Sequence, residues 1–240
     1  MVYQNVFKRY ELKYLLTQDQ KEKVLSAMEP YMSPDRYGRT TIRNLYFDTD
    51  NYRLIRRSIE KPAYKEKLRL RCYERPSPES MVFVELKKKY RKIVYKRRIS
   101  VPEKEAMAWM CGGERCHTDN QIAEEINYFL AYYQFLHPVV FLSYEREAYY
   151  AKDCSDLRIT FDDTLLCRQD ELSLATEAYG VPLLPKDMVL MEIKCAGGLP
   201  LWMLHVLSGE HVYQTSFSKY GTAYQNLIFP KLRKEAAQYA

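Results

Sequence analysis

Lysine and arginine alternate with apolar residues in several short runs of this chain, and that spacing is its first chemical signal. Side chains at i and i+2 share one face of a strand. Over 63–75, Lys65, Lys67, Arg69, Arg71 and Tyr73 share a face, opposite Tyr64, Glu66, Leu68, Leu70 and Cys72. Over 81–90, Phe83, Glu85, Lys87 and Lys89 lie opposite Val82, Val84, Leu86 and Lys88. Over 92–101, Lys96 and Arg98 lie opposite Ile93, Tyr95, Ile99 and Val101. Arg9, Glu11 and Lys13 alternate with Tyr10, Leu12 and Tyr14, and Glu192 and Lys194 with Met191, Ile193 and Cys195.

An ordinary half-exposed sheet, with its charges in water, accounts for each run taken alone. It accounts less well for the set. Surface sheets usually mix charge signs, because like charges facing each other across strands weaken pairing. Here neighbouring strands would set Lys65, Lys67, Arg69 and Arg71 beside Lys87, Lys89, Lys96 and Arg98. An anion would relieve that crowding. Glu11, Glu85 and Glu192 would relieve some of it and offer carboxylates to a metal ion. A closed antiparallel barrel, with apolar faces outward against helices and charged faces inward, reconciles the patterns. Such an interior focuses its field on a polyanion. Arg would give bidentate phosphate contacts and Lys point charges.

The elements that must position these residues are legible in outline. Strands are expected at 5–15, 40–48, 63–75, 81–90, 92–101, 138–150, 156–163 and 188–195. Thr17 with Gln20 forms a capping box for a helix to about Glu29. A helical segment near 50–59 precedes the 63–75 strand, and Pro76-Ser77-Pro78 marks a turn after it. Pro102, placed as the first helical residue and followed by Glu103 and Glu105, opens another helix. An amphipathic helix spans 119–134, with Ile122, Ile126, Phe129, Leu130 and Tyr133 on one face. A short helix is expected near 199–207, and a last one begins near Ser218. Asp48 and Asp162 read as turn or cap residues at strand ends, with support of the site's own side chains as the alternative role. The expected fold is α+β: a closed antiparallel β-barrel with helices packed on its outside.

Composition narrows the chemistry. Gly is scarce, 8 of 240 residues, and neither GxxxxGK[ST] nor GxGxxG occurs, so Walker-type ATPases and Rossmann enzymes lose weight. The net charge of +6 favours anionic partners. The 22 Tyr could mark a nucleic-acid stacking groove. Most of them fall on apolar faces or helices, where they pack the core, so nucleic acid is disfavoured as a partner. Six Cys form no CxxC, and Cys111, Cys116 and His117 lack a second ligand pair for zinc. His117, His137, His205 and His211 show no catalytic or metal-binding spacing. Charges interrupt any signal-like N-terminus, and the apolar run 129–144 is too broken to cross a bilayer. Reduced thiols and a cytoplasmic location are the expectation.

The motifs FKRYELKYLL (7–16), NLYFDT (44–49), KLRLRCY (67–73), FVELKKK (83–89) and VYKRR (94–98) follow one another in order. SYEREAY (143–149), LRITFD (157–162), MEIK (191–194) and SFSKYG (216–221) continue the series. In these motifs the chain resembles the VTC-type polyphosphate polymerase domain of the triphosphate tunnel metalloenzyme, or CYTH-like, superfamily. The resemblance covers about residues 5–230, so one domain over 1–240 is expected. Eukaryotic members carry a phosphate-sensing domain and membrane helices as well; no stretch here corresponds to either, and a stand-alone form is expected.

The resemblance implies a tunnel that binds ATP or another nucleoside triphosphate and a metal ion, Mn²⁺ or Mg²⁺. It implies transfer of the terminal phosphate to a polyphosphate chain. Arg69, Arg71, Lys87, Arg146 and Arg158 would be the catalytic cations on the transferring and leaving phosphates. Lys13, Arg9, Lys67, Lys96, Arg98, Lys194, Ser218 and Lys219 would bind phosphate, and Glu192, with Glu11 in a weaker role, the metal. Ser218 also suits a helix N-cap, where free amides favour a phosphate. Two departures stand out. Ser216 occupies the place of a further family lysine, and Arg9 stands where hydrolytic branches carry the first Glu of ExExK. The second favours transfer to phosphate over two-metal hydrolysis. A tripolyphosphatase or nucleoside triphosphatase on the same tunnel, and a non-catalytic polyphosphate-binding module, are the alternatives.

Overall fold

The computed structural model describes residues 10–91, 93–116, 120–153 and 155–238. Its elements begin with β1 (Tyr10–Thr17), α1 (Gln18–Met28), β2 (Met32–Pro34), β3 (Thr40–Asp48) and α2 (Arg53–Ile59). Next come β4 (Tyr64–Tyr73), β5 (Met81–Tyr90), β6 (Ile93–Pro102), α3 (Glu103–Cys111), α4 (Gln121–Tyr133) and β7 (His137–Ala151). The chain ends with β8 (Arg158–Arg168), β9 (Val181–Pro182), β10 (Met188–Cys195), α5 (Leu201–Gly209), β11 (Gln214–Thr215), α6 (Lys219–Ala223) and α7 (Phe229–Gln238). A π turn, Tyr224–Ile228, joins the last two helices. Arg9, His117 and Cys154 lie outside the described residues.

Two compact units divide these elements. The first comprises Met1–Thr41, Tyr144–Leu165 and Leu184–Phe217. In it β1 pairs antiparallel with β10 and β11, β10 with β8, and β2 with the end of β7. Alternation decides which side is buried. Leu16, Ile159, Phe161, Met191 and Ile193 pack against Val24 and Met28 of α1 and Met203 and Leu207 of α5. The expected capping box holds: Thr17 accepts from the Gln20 amide at 3.2 Å, and the Gln20 side chain accepts from the Thr17 amide at 2.9 Å.

The second unit comprises Ile42–Ser143, Leu166–Leu183 and Ser218–Ala240. Its strands run in the order β7-β3-β4-β5-β6. Leu68 and Leu70 of β4 and Val82, Val84 and Leu86 of β5 bury one face against Ala106, Trp109 and Met110 of α3 and Ile126 and Phe129 of α4. Trp109 keeps its indole N–H satisfied by donating to Asn127 Oδ1 at 2.8 Å. The expected face of α4 is the one that packs. The opposite face of β4, β5 and β6 carries the cations, and the register sets like charges directly across: Lys65 with Lys89, Lys67 with Lys87, and Lys87 with Lys96.

Several boundaries differ from expectation. Pro102 ends β6 and serves as N-cap of α3, so the helix starts one residue later than Pro102 itself. β8 continues to Arg168 because residues 166 and 167 pair with β9, a strand too short to leave a pattern. Asp162 therefore sits inside a strand, whereas Asp48 does end β3 and caps α2, accepting from the amides of Leu54 at 2.8 Å and Ile55 at 2.9 Å. The last helix does start after Ser218 as expected, and α6 passes through the π turn into α7.

The two faces of β5 should respond oppositely to truncation. Leu86→Ala is expected to cost about 2–5 kcal/mol in urea unfolding through the cavity it leaves. Lys87→Met should leave stability unchanged or raise it by up to about 1 kcal/mol by relieving cross-strand repulsion. A loss above about 1 kcal/mol at Lys87 would contradict the like-charge account.

Candidate functional site

The cation-bearing face of the second unit is organised around Glu85, which is 1% exposed. It lies between Arg69 of β4 and Arg98 of β6 in register. Arg69 donates to Glu85 Oε2 through Nε at 2.9 Å and Nη2 at 2.7 Å. Arg71 Nε stands 3.8 Å from the same oxygen. Lys96 Nζ at 2.7 Å and Arg98 Nε at 2.9 Å flank Oε1. Four cations thus converge on one carboxylate, and the cluster keeps a large positive excess. Burial alone would raise the Glu85 carboxyl, but Arg69, Arg71 and Lys96 outweigh it and hold it well below the usual range.

β3 fixes the arginines from the other side. Tyr46 faces Arg69 and Asn44 faces Arg71 in register. Arg69 Nη1 donates to the Tyr46 hydroxyl at 2.8 Å, and Arg71 Nε donates to Asn44 Oδ1 at 2.9 Å. Asn44 Nδ2 in turn donates to the Leu142 carbonyl at 3.1 Å. Burial would raise the Tyr46 phenol, yet Arg69 and Arg71 bring it below its ordinary value. Tyr46 stacks on Tyr220 at 4.8 Å between centroids, and the Tyr220 hydroxyl donates to Asp48 Oδ2 at 2.8 Å. That chain ties the start of α6 to the strands. Ser218 caps α6 by accepting from the Gly221 amide at 3.1 Å, and Lys67 Nζ donates to its Oγ at 2.9 Å. Ser218 is thus the N-cap that the sequence predicted, and Lys67 reaches it from β4.

The first unit carries a second cluster of different balance. Lys13 Nζ lies 3.2 Å from Glu192 Oε1 and 3.5 Å from Glu11 Oε1, and donates to the Phe217 carbonyl at 2.8 Å. Glu192 is 7% exposed. Arg146 grips Asp162 with two hydrogen bonds, Nε to Oδ1 at 2.5 Å and Nη2 to Oδ2 at 2.6 Å, and its Nη2 stands 3.7 Å from Glu192 Oε2. Asp162 is therefore the residue that orients Arg146. Lys194 faces both Glu11 and Arg158 in register. Arg158 is more exposed, with Asp35 at 3.8 Å. Cations and carboxylates here are nearly matched in number.

Among the described residues no group of three or more His, Cys, Asp or Glu side chains is placed to hold a metal ion, and the first unit offers the pair Glu11 and Glu192. Carboxylate oxygens suit Mg²⁺ and Mn²⁺. Glu11 and Glu192 already share one positive charge, the Lys13 ammonium. Thr160 faces Glu192 in register, and its buried hydroxyl has no hydrogen-bond partner among the described residues. A hydrated ion would supply one.

The sequence had assembled most of these cations and allowed Asp162 a supporting role; it missed Asn44 and Tyr46 as supports. Asn44 and Tyr46 share a parity in NLYFDT, the one local signal that they face the same side.

Lys96 gives the site a pH dependence. Burial lowers its ammonium, Glu85 partly offsets this, and Arg71 and Arg69 lower it further, to about 8. The side chain is charged below that value and neutral above it, and a polyanion favours the charged form. Tripolyphosphate affinity should therefore fall between pH 7 and 9 by up to about 10-fold more in the wild type than in Lys96→Arg, which stays charged. Equal ratios by titration calorimetry would refute this.

A family model describing the VTC domain matches residues 8–228. No curated protein matches the chain. Among solved structures, it is similar to a putative adenylate cyclase from Bacillus halodurans, at 14% identity and a TM-score of 0.54, over 87% of this chain and 92% of that one. It is similar also to a putative adenylyl cyclase from Hippeastrum, described as having a dominant triphosphatase activity, at 14% identity and a TM-score of 0.53, over 90% and 94%. At that identity the likenesses establish the fold alone, the antiparallel triphosphate tunnel fold with its helices. Among the described residues, no helix is long and apolar enough to cross a membrane. With the family match extending over both units, the chain belongs to the VTC domain family.

Proposed function

We propose that this chain is a metal-dependent polyphosphate polymerase that moves the terminal phosphate of ATP onto a polyphosphate chain. The observation that carries this reading is the cluster of Arg69, Arg71, Lys96 and Arg98 around the single carboxylate of Glu85. Its excess positive charge is matched by a run of phosphates. The triphosphatase activity described for the Hippeastrum protein supports a triphosphate as donor.

Such a transfer needs no nucleophilic side chain, because the acceptor is a terminal phosphate oxygen. That oxygen forms a bond to the γ-phosphorus as the bond from the γ-phosphorus to the β–γ bridging oxygen breaks, and ADP leaves with the electron pair. Catalysis is then positioning and charge neutralisation. In this reading Arg69 and Arg71, pre-oriented by Tyr46 and Asn44, grip the phosphates, with Lys67, Lys87, Lys96, Arg98, Ser218 and Lys219 extending the grip. Arg146, held by Asp162, and the more exposed Arg158 serve the reacting end, with Lys13 and Lys194 beside them. Glu192 and Glu11 would hold Mn²⁺ or Mg²⁺, which supplies Lewis-acid neutralisation of phosphate charge when bound. Arg9, where hydrolytic branches carry the first Glu of ExExK, favours a phosphate acceptor over water.

The second reading, hydrolysis on the same residues, draws on the Hippeastrum activity. Incubation with ATP and Mn²⁺, with products run on a gel, separates the two. A ladder of long polyphosphate is expected; orthophosphate alone would replace polymerase with hydrolase, and binding without any turnover would leave a binding module. Glu192→Gln should lower metal-dependent turnover by about 100-fold or more. Wild-type turnover in that variant would remove Glu192 from the metal.

A further inference from the structure

The cation-bearing face of the second unit is not uniform along its length. At one end, Lys65 faces Lys89 and Lys67 faces Lys87. Lys65 shows the consequence: burial lowers its ammonium, and the charges of Lys89, Lys61 and Lys87 lower it further. Toward the other end the chemistry changes. Arg71 faces Phe83 in register, and Tyr73 follows Arg71 on the same face, about 7 Å further along the strand. Tyr73 and Phe83 meet edge to face, with centroids 5.8 Å apart. The Arg98 guanidinium lies 3.7 Å from the Phe83 centroid, and its Nη2 donates to the Tyr73 hydroxyl at 2.9 Å.

From these contacts we infer that Tyr73, backed by Phe83 and Arg98, is a nucleobase subsite for the nucleoside triphosphate, an assignment that rests on the reading above. Three observations converge on it. First, Tyr73 is 43% exposed, whereas Tyr46, the other tyrosine on this face, is 5% exposed and covered by Tyr220. Tyr73 is thus open to a stacking partner where Tyr46 is not. Second, its ring is held in place, the hydroxyl by Arg98 and the ring by its edge-to-face contact with Phe83, so stacking costs little side-chain ordering. Third, the spacing fits. A base is uncharged and flat, and it is joined to its first phosphate by one ribose, a few ångströms long. With phosphates on Arg71, Arg69, Lys96 and Arg98, a ring about 7 Å beyond Arg71 is where such a base would come to rest. The lysine end offers instead only point charges, which suit an unbroken polyanion. The face therefore distinguishes the two ends of the substrate, nucleoside toward Tyr73 and phosphate chain toward Lys65 and Lys89.

The test compares ATP with tripolyphosphate, which carries the phosphates but no base, by titration calorimetry with the full chain. Tyr73→Leu is expected to weaken ATP binding by about 10-fold, in the range of one lost base–aromatic stack, and to change tripolyphosphate binding by less than about 2-fold. Tyr73→Phe, which keeps the ring and loses the bond to Arg98, should retain most of the ATP affinity. Unchanged ATP binding in Tyr73→Leu would overturn the subsite while leaving the phosphate-binding reading intact. Equal losses for both ligands would also overturn it, showing that Tyr73 acts only through Arg98. If the wild type bound neither ligand, the functional reading itself would fall, and the subsite with it.

Discussion

A buried carboxylate beneath four cations is the contact on which the second unit depends. The register of β4, β5 and β6 brings arginines and lysines from neighbouring strands onto one face, and lysine faces lysine across two strand pairs. In a partly desolvated setting such repulsion would oppose strand pairing. Glu85 sits in the middle row, facing Arg69 and Arg98, and draws in Arg71 and Lys96 as well. It makes the face tolerable without neutralising it. A face with one carboxylate too many would have no use for an anion, and a face without Glu85 would leave four cations with no common counter-charge. The observed arrangement lies between the two.

Around that contact, the arginines are fixed before any ligand arrives. Tyr46 and Asn44 hold Arg69 and Arg71, and Tyr46 is stacked by Tyr220, which Asp48 anchors. Asp48 is fully buried and also caps α2, so one carboxylate secures two helices to the strand that presents Tyr46. Preorganisation of this kind is what electrostatic catalysis requires, because donors already in place need no reorganisation during reaction. The first unit works with a near-even balance. Lys13 bridges Glu11 and Glu192, and Asp162 holds Arg146, so each carboxylate there is paired with a cation of its own unit.

Much of this was legible in the residues alone. The parity of Lys67, Arg69 and Arg71 against Leu68 and Leu70 predicted the two faces of β4, and the structure buries the leucines against α3 and α4 as expected. Thr17 and Ser218 were recognisable as caps from their side chains. Other features were not. Asp162 read as a strand end, because the pairing that prolongs β8 involves only two residues of β9. The last helix starts at Ser218 as expected, but nothing local announces the π turn after Ala223. Tyr46 and Asn44 lay in a motif but carried no sign of which arginine each would meet.

The difference has a physical cause. Which side of a strand a residue faces is set by a backbone repeat of two, so alternation by itself determined that the Lys and Arg side chains would share a face and that apolar residues would line the other. Which cation meets which carboxylate depends on register between strands far apart in sequence, and on helices docked across them. Only the tertiary structure decided that Glu85 would gather Arg69, Arg71, Lys96 and Arg98, that Lys13 would bridge Glu11 and Glu192, and that Tyr73 would stay open beside Phe83.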